Sequence, residues 1–426
     1  MVCARVVASA ARPAVRVMAA PTNVLRVITR MNIGGPAIHA ALLSNGLDSE
    51  RFSTRLVTGR PDPNEGDLSD LLQRERVKVI RLNSFMRPLH PWRDLVTLAR
   101  LVRIAWRERP RILHTHMAKA GALGRLAGIA YNRWGPGRGP GQRAVIIHTF
   151  HGHVLSGYFP VLVSRLFVII ERWLARRSDC LIAVSERIRA ALLERKIGTP
   201  DQWRVIPLGL DLSDLASLPP PPERPPMFRI GLVGRLVPIK NPGLFLAALQ
   251  RVRELLPQAG VRGLVVGDGP LRRQLEAEAQ AMGFDGYVEF TGWRRDLRAC
   301  YEGLDAVCLT SWNEGTPAAL IEAMAAGRAV LATDVGGVRD VLGETARGPA
   351  ALSPGTFHVT ERGILVQPGD AEGLAKAMAT LAGDAQLRRR MGEAARAYVV
   401  ERFTQERLVR DMTALYEELL QRSVRR

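Results

Sequence analysis

Two glutamates carry the first chemical signal in this chain. They stand in Asn313-Glu314-Gly315-Thr316-Pro317-Ala318-Ala319-Leu320-Ile321-Glu322, with seven residues between the carboxylates. The stretch follows a β-like run at 306–311 and enters a helix for which Thr316 is a good N-cap and Pro317 a good first residue. Glu314 then lies in the strand-to-helix loop, and Glu322 about one and a half turns along the helix. Free amides at a helix start attract anions and sugar oxygens. A carboxylate accepts two hydrogen bonds from a diol. The pair therefore suits a nucleotide sugar, one carboxylate on the ribose and one on the transferred sugar. Alone, two glutamates at this spacing would read as solvated side chains.

A second signal upstream changes that. Gly231-Leu232-Val233-Gly234-Arg235-Leu236-Val237-Pro238-Ile239-Lys240-Asn241 follows a strand at 228–233 and opens another helix. Arg235 and Lys240 bring two cations to one strand end, where open α/β sheets bind ligands. A diphosphate clamp beside a diol reader fits this arrangement. Five of the eight histidines lie in His114-Thr115-His116 and His148-Thr149-Phe150-His151-Gly152-His153, each after an apolar strand and so at a sheet's carboxyl edge. A zinc site lacks a cysteine or carboxylate nearby in sequence to complete it and ranks below sugar binding. No metal and no cofactor are expected.

The elements that must position these groups alternate. Strands read at 24–30, 77–82, 112–116, 144–150, 181–184 and 205–208, and helices at 36–44, 92–107 and 118–130. Such alternation means an α/β protein with parallel sheets and crossover helices. With 426 residues, 47% of them hydrophobic, the chain fits two cores rather than one. The run Leu218-Pro219-Pro220-Pro221-Pro222-Glu223-Arg224-Pro225-Pro226 reads as an extended linker. The expected division is a disordered tail at 1–22, an acceptor-side domain at 23–217, the linker at 218–227, a nucleotide-sugar domain at 228–402 and a final helix at 403–426. Gly135-Pro136-Gly137-Arg138-Gly139-Pro140-Gly141 reads as a flexible surface loop.

The net charge of +19 is spread along the chain, without a basic block interleaved with aromatics. Nucleic acid is therefore disfavoured as a partner; an anionic membrane and phosphate-bearing substrates rank above it. Cys3, Cys180, Cys300 and Cys308 show no metal or redox spacing, which points to a reducing, cytoplasmic compartment. No run approaches the roughly 20 apolar residues that span a bilayer. The segment 158–177 is apolar, then basic with a Trp. It reads first as a core-facing crossover helix and second as an interfacial helix that brings the protein to a membrane.

Taken together, Gly234-Arg235 with Lys240, Val266-Gly267-Asp268-Gly269-Pro270, Phe290-Thr291-Gly292-Trp293, the Glu314/Glu322 pair, Val335-Gly336-Gly337, Phe403 and Tyr416-Glu417-Glu418-Leu419 resemble the retaining GT-B glycosyltransferases of family four, glycosyl transferases group 1. The resemblance runs from about Asn23 onward. It implies a GT-B architecture: two doubly wound parallel-sheet (Rossmann-like) domains facing across a cleft, with the last helix crossing back to the N-terminal domain. The implied reaction is metal-independent hexosyl transfer from a nucleoside diphosphate sugar, UDP-sugars favoured, to an acceptor hydroxyl with retention. No Asp-x-Asp occurs in the chain, which fits cations supplied by the protein.

By the same resemblance, Arg235 and Lys240 stabilise the leaving diphosphate and Glu322 binds the ribose. Glu314, with Gly315, Thr316, Pro317 and Ala318, reads the transferred sugar, and His151 orients the donor. Gly35, Gly234, Gly292 and Trp293 complete the donor site. His116, Lys119 and His153 are the expected acceptor contacts. The stretch from His114 to His153 is similar to bacterial capsule and exopolysaccharide transferases, implying polysaccharide or glycolipid synthesis, a lipid-linked saccharide acceptor and peripheral contact with the inner face of the membrane. A nucleotide-sugar 2-epimerase and a non-catalytic nucleotide-sugar-binding scaffold remain as alternative readings. Relative to the family pattern, 346–360 is an insertion.

Overall fold

A computed structural model describes residues 20–62, 66–73, 75–152, 161–223, 227–257, 260–344 and 352–424. His153, positions 1–19 of the expected tail and 346–351 of the expected insertion lie outside the described residues, as do 224–226 of the linker and 158–160 of the apolar segment.

The first sheet is built from β1 (Thr22–Arg30), β2 (Phe52–Gly59), β3 (Lys78–Arg81), β4 (Ile112–His116), β5 (Val145–Phe150), β6 (Cys180–Ala183) and β7 (Trp203–Val205). All pairs are parallel, in the order β3-β2-β1-β4-β5-β6-β7. Helices cover both faces of such a sheet, so its strands read as unbroken apolar runs; the middle of β1 and all of β5 are buried. β2 is not evident in the sequence pattern, since polar residues at 53–55 hide its apolar end, and the strand expected at 205–208 lies at Trp203–Val205.

The second sheet holds β8 (Phe228–Val233), β9 (Val261–Val266), β10 (Val288–Gly292), β11 (Ala306–Leu309), β12 (Ala329–Thr333), β13 (Phe357–Val359) and β14 (Ile364–Val366). Its order is β10-β9-β8-β11-β12-β14-β13, parallel except for the β13 edge. That edge strand falls in the described part of the expected insertion. The strand order reverses between β1 and β4 in one sheet and between β8 and β11 in the other. Ligand sites form at such switch points, beyond the carboxyl ends of the strands.

The helix Gln405–Val424 crosses back to the first half. Leu408, Met412, Leu415, Tyr416 and Leu419 form one stripe of it, packed on Val24, Leu43 and Phe52. Backbone bonds Leu210 N–H to Phe403 O (2.8 Å) and Gln405 N–H to Leu210 O (2.9 Å) fix where it begins. Arg328 and Arg396 of the second half donate to Pro219 O and Leu218 O at the start of the proline run. The loop expected to be flexible is instead folded: Pro136–Arg138 forms a short 3-10 turn, with Gly137 buried against Tyr131.

Leu408 has no exposed surface and packs over Gly209. Leu408→Ala is expected to cost about 2–4 kcal/mol in a denaturant titration, the usual range for a buried leucine.

Candidate active site

The two switch points face one cavity of about 300 Å³, whose walls include Thr149 and His151 from one half and Arg235, Lys240, Glu314 and Gly315 from the other. Most of these wall residues follow a strand: His151 after β5, Arg235 after β8, and Glu314 after β11, while Thr149 lies within β5 and Lys240 ends the 3-10 turn beyond β8. Backbone contact closes the cleft on one side. A Cβ on Gly315 would stand 1.9 Å from His151 O, and one on Gly336 would stand 1.9 Å from Glu314 O. Only glycine permits chains to pass that closely.

Within the cavity, Glu314 is 8% exposed and Lys240 Nζ donates to its Oε1. Ser311 Oγ donates to the same oxygen at 2.5 Å. The short 3-10 turn Pro238–Lys240 delivers Lys240, and Thr310 Oγ1 holds its carbonyl at 2.9 Å. A cation and a carboxylate from two strand ends are thus brought into one ion pair, with Arg235 on the same wall.

The other expected residues are placed as follows. The helix begins one residue later than expected, at Ala318–Ala325, with Pro317 at its N-cap position. Thr316 does not cap it: its Oγ1 is buried without a hydrogen-bond partner among the described residues. Glu322 is therefore only a little over one turn in. It is half-buried and accepts from Tyr301 OH at 2.8 Å. Burial raises its carboxyl to about 7, against a smaller lowering by the Tyr301 bond. Gly35 opens the helix Gly35–Gly46 beside the cavity residue Pro36. Gly234 follows β8. Gly292 ends β10, and Trp293 beyond it is exposed; neither is on the cavity wall.

Of the expected acceptor contacts, His116 has no exposed surface and stands behind His151, Nδ1 to Nε2 at 3.1 Å. Lys119 turns its ammonium away, donating to Met86 O (2.9 Å) and Pro88 O (2.6 Å) and pairing with Asp94. Neither reaches the cavity, because both are consumed by protein partners. His151 itself is held neutral, its imidazole pushed down to about 3 by burial. It can donate or accept a hydrogen bond at neutral pH but carries no charge.

Sequence reasoning missed Arg26 and His39, both fully buried behind His151. The signal for Arg26 was a charge inside the apolar run of β1. Ring nitrogens of His39, His116 and His151 lie within 4.8 Å of one another. The arrangement suits a cation poorly. Arg26 Nη1 faces His116 Nε2 at 3.3 Å, and a guanidinium only donates. That puts the His116 proton on Nδ1, the atom turned toward His151, and sets a positive charge beside the cluster.

This fold and cleft define a GT-B glycosyltransferase. The model for Glycosyltransferase Family 4 matches residues 33–214 and that for Glycosyl transferases group 1 matches residues 228–384. A lipopolysaccharide core biosynthesis mannosyltransferase, LpcC, of Rhizobium leguminosarum bv. viciae is 30% identical over 62% of this chain and 71% of its own. The UDP-Gal:alpha-D-GlcNAc-diphosphoundecaprenol alpha-1,3-galactosyltransferase of Escherichia coli is 27% identical over 68% of this chain and 74% of its own. Among solved structures, Anabaena HepE in complex with UDP and glucose superposes with a TM-score of 0.70, at 19% identity over 92% of this chain and 99% of that one, a likeness of fold. The chain belongs to the family-four, group 1 glycosyltransferases.

A raised carboxyl disfavours the charged form in the folded state, so its penalty is absent below about pH 4.5, grows as pH rises toward 7 and is fully present above it. Glu322→Gln is expected to leave stability unchanged at pH 4 and to raise it by about 1–3 kcal/mol at pH 8. Urea titrations at both pH values check this.

Proposed function

We propose that this chain transfers a hexosyl group from a nucleoside diphosphate sugar, UDP-sugars favoured, to the hydroxyl of a lipid-linked saccharide. In this reading the anomeric configuration is retained and no metal ion takes part. The observation that carries the proposal is the Lys240–Glu314 pair, set with Arg235 in a cavity between two strand-order reversals. A diphosphate entering the cavity draws Lys240 from Glu314, because two negative phosphates outcompete one carboxylate. Glu314 is then released to accept hydrogen bonds from the sugar hydroxyls, beside the Gly315 amide. As the glycosidic bond breaks, the leaving diphosphate gains charge and Arg235 and Lys240 stabilise it. One preorganised contact of this kind is worth roughly 3 kcal/mol. His151, neutral, orients the donor by hydrogen bonding. Glu322 takes the ribose diol, where two hydroxyl donors would offset the burial that disfavours its charge. Same-face displacement, with no protein nucleophile, gives retention. The ligands named for Anabaena HepE and the donor and acceptor in the Escherichia coli relative's name support this choice of substrates.

The surface of the first half supports a place on an anionic membrane, at its inner face, in polysaccharide or glycolipid assembly. No helix among the described residues is long and apolar enough to cross a bilayer. The helix Val161–Ala175 buries one side and exposes Val163, Leu166, Ile169, Ile170 and Trp173 on the other. Its one acid, Glu171, is turned inward to Arg125. Beyond its end, Arg133, Arg138, Arg143 and Arg177 line a groove, and Arg177 stacks on Trp173 at 3.8 Å. Apolar side chains rimmed by arginines, with the local acid neutralised, suit a surface of anionic lipid.

Arg235→Ala is expected to lower kcat for sugar transfer by about 100-fold or more; wild-type turnover would refute the assignment. In vesicle flotation, the protein is expected to rise with phosphatidylglycerol but not with phosphatidylcholine, and Leu166→Ser with Ile169→Ser to abolish it. Absence of flotation on anionic vesicles removes the membrane from the proposal.

A further inference from the structure

We propose that Arg26 is a positioning residue for the transfer reaction: its buried guanidinium fixes His116, and through it His151, in the tautomer that leaves His151 Nδ1–H as the free donor at the cavity. The proposal rests on the glycosyl-transfer reading above for its kinetic consequence, and on the geometry alone for the tautomer.

Arg26 lies in β1 between Leu25 and Val27 and has no exposed surface. Its Nη1 stands 3.2 Å from His114 Nδ1 and 3.3 Å from His116 Nε2. Its Nε and Nη2 have no partner among the described residues. The charged and titratable groups that face this cluster come from every element around it. They are His39 from Gly35–Gly46, His114 and His116 from β4, His148 and His151 at the end of β5, and Arg407 and Tyr416 from the last helix. Arg125 acts on His148 and has its own partner in Glu171. Among the described residues, no carboxylate acts on His39, His114, His116, His148 or His151. A buried cation without a counter-charge is unfavourable, and an apolar side chain of similar size would serve packing better. The presence of an arginine here therefore points to what its donors do.

A guanidinium has five N–H donors and no acceptor. Facing it, His116 Nε2 must accept, so the proton of this neutral ring sits on Nδ1. That Nδ1–H points to His151 Nε2 at 3.1 Å, which must accept in turn. His151 then keeps its proton on Nδ1, its remaining polar atom, on a residue that lines the cavity. At His114, Nδ1 is shared by Arg26 Nη1 at 3.2 Å and the nearer Tyr416 OH at 2.7 Å; with Arg26 donating, this Nδ1 accepts and Nε2–H donates to Thr149 Oγ1 at 2.7 Å. Thr149 lines the same cavity. Arg26 thus sets the hydrogen-bond direction of His151 and, together with Tyr416 OH, that of Thr149. It also opposes protonation of His39, His114 and His116, whose imidazoles burial already holds neutral.

The test compares wild type, Arg26→Met and Arg26→Gln as full-length protein. Ring nitrogen NMR of 15N-histidine protein is expected to show His116 and His151 as Nδ1–H tautomers in the wild type and to lose that uniformity in Arg26→Met. Arg26→Met is expected to melt at or above the wild-type temperature, with kcat reduced roughly 10- to 100-fold and donor KM little changed. Its acid limb is expected to move to higher pH, because removing the cation raises the histidine pKa values. A merely structural arginine would lower the melting temperature and leave the acid limb in place. Should Arg26→Met fail to fold, Arg26→Gln decides by the same readings. Wild-type His151 found as the Nε2–H tautomer overturns the proposal, as does a folded variant with wild-type kcat and acid limb. If the wild type transfers no sugar, the functional reading fails while the tautomer measurement still stands.

Discussion

The structure depends on one backbone contact. Gly315 of the second half lies against the carbonyl of His151 in the first, with no room for a Cβ between them. That contact sets the reversal point of one parallel sheet opposite the reversal point of the other. Strand ends that would each offer a shallow ligand crevice become two walls of one cavity. The last helix holds this arrangement from behind, laying Leu408, Met412 and Tyr416 into the first half. Tyr416 OH reaches His114 Nδ1 at 2.7 Å, so the crossing helix touches the same polar network that supports the cavity wall.

Charge is distributed with a consistent logic around the cavity. At the front, Lys240 and Glu314 neutralise each other. To one side, Glu322 is left without a cation and its carboxyl rises to about 7. Behind, Arg26 has a charge and no acid. Low dielectric makes each of these arrangements matter more than it would in water. The last two are also places where local stability is given up in a folded protein, and such places concentrate at functional sites.

Much of this was legible in the chain. Alternating strands and helices, a proline break and glycine-rich turns after strands report backbone geometry directly, so the two-sheet α/β architecture could be read from them. Arg235 and Glu314 were legible as strand-end residues because the carboxyl end of a strand leaves few directions for the next residues, and Lys240 because the same loop runs on from Arg235 into the next helix. His116 and Lys119 were placed less well. Both stand near strand or helix ends, but which way a side chain turns there depends on distant partners: Arg26, the 86–88 segment and Asp94. Thr316 failed as a cap for a similar reason, since the tight packing of Gly315 sets the turn that follows. Arg26 showed in the sequence only as a charge inside the apolar run of β1, and His39 not at all, because their shared surroundings arise only when β1, β4 and the first helix meet.

The central claim is that the cavity between the two reversal points binds a nucleoside diphosphate sugar through protein cations alone. Isothermal titration of the purified protein with UDP-hexoses in the presence of EDTA tests it most directly, with Lys240→Ala as the comparison. The account predicts saturable one-to-one binding that survives the chelator and weakens at least tenfold in the variant. Binding unchanged in Lys240→Ala, or binding that appears only when a divalent cation is added, would contradict it.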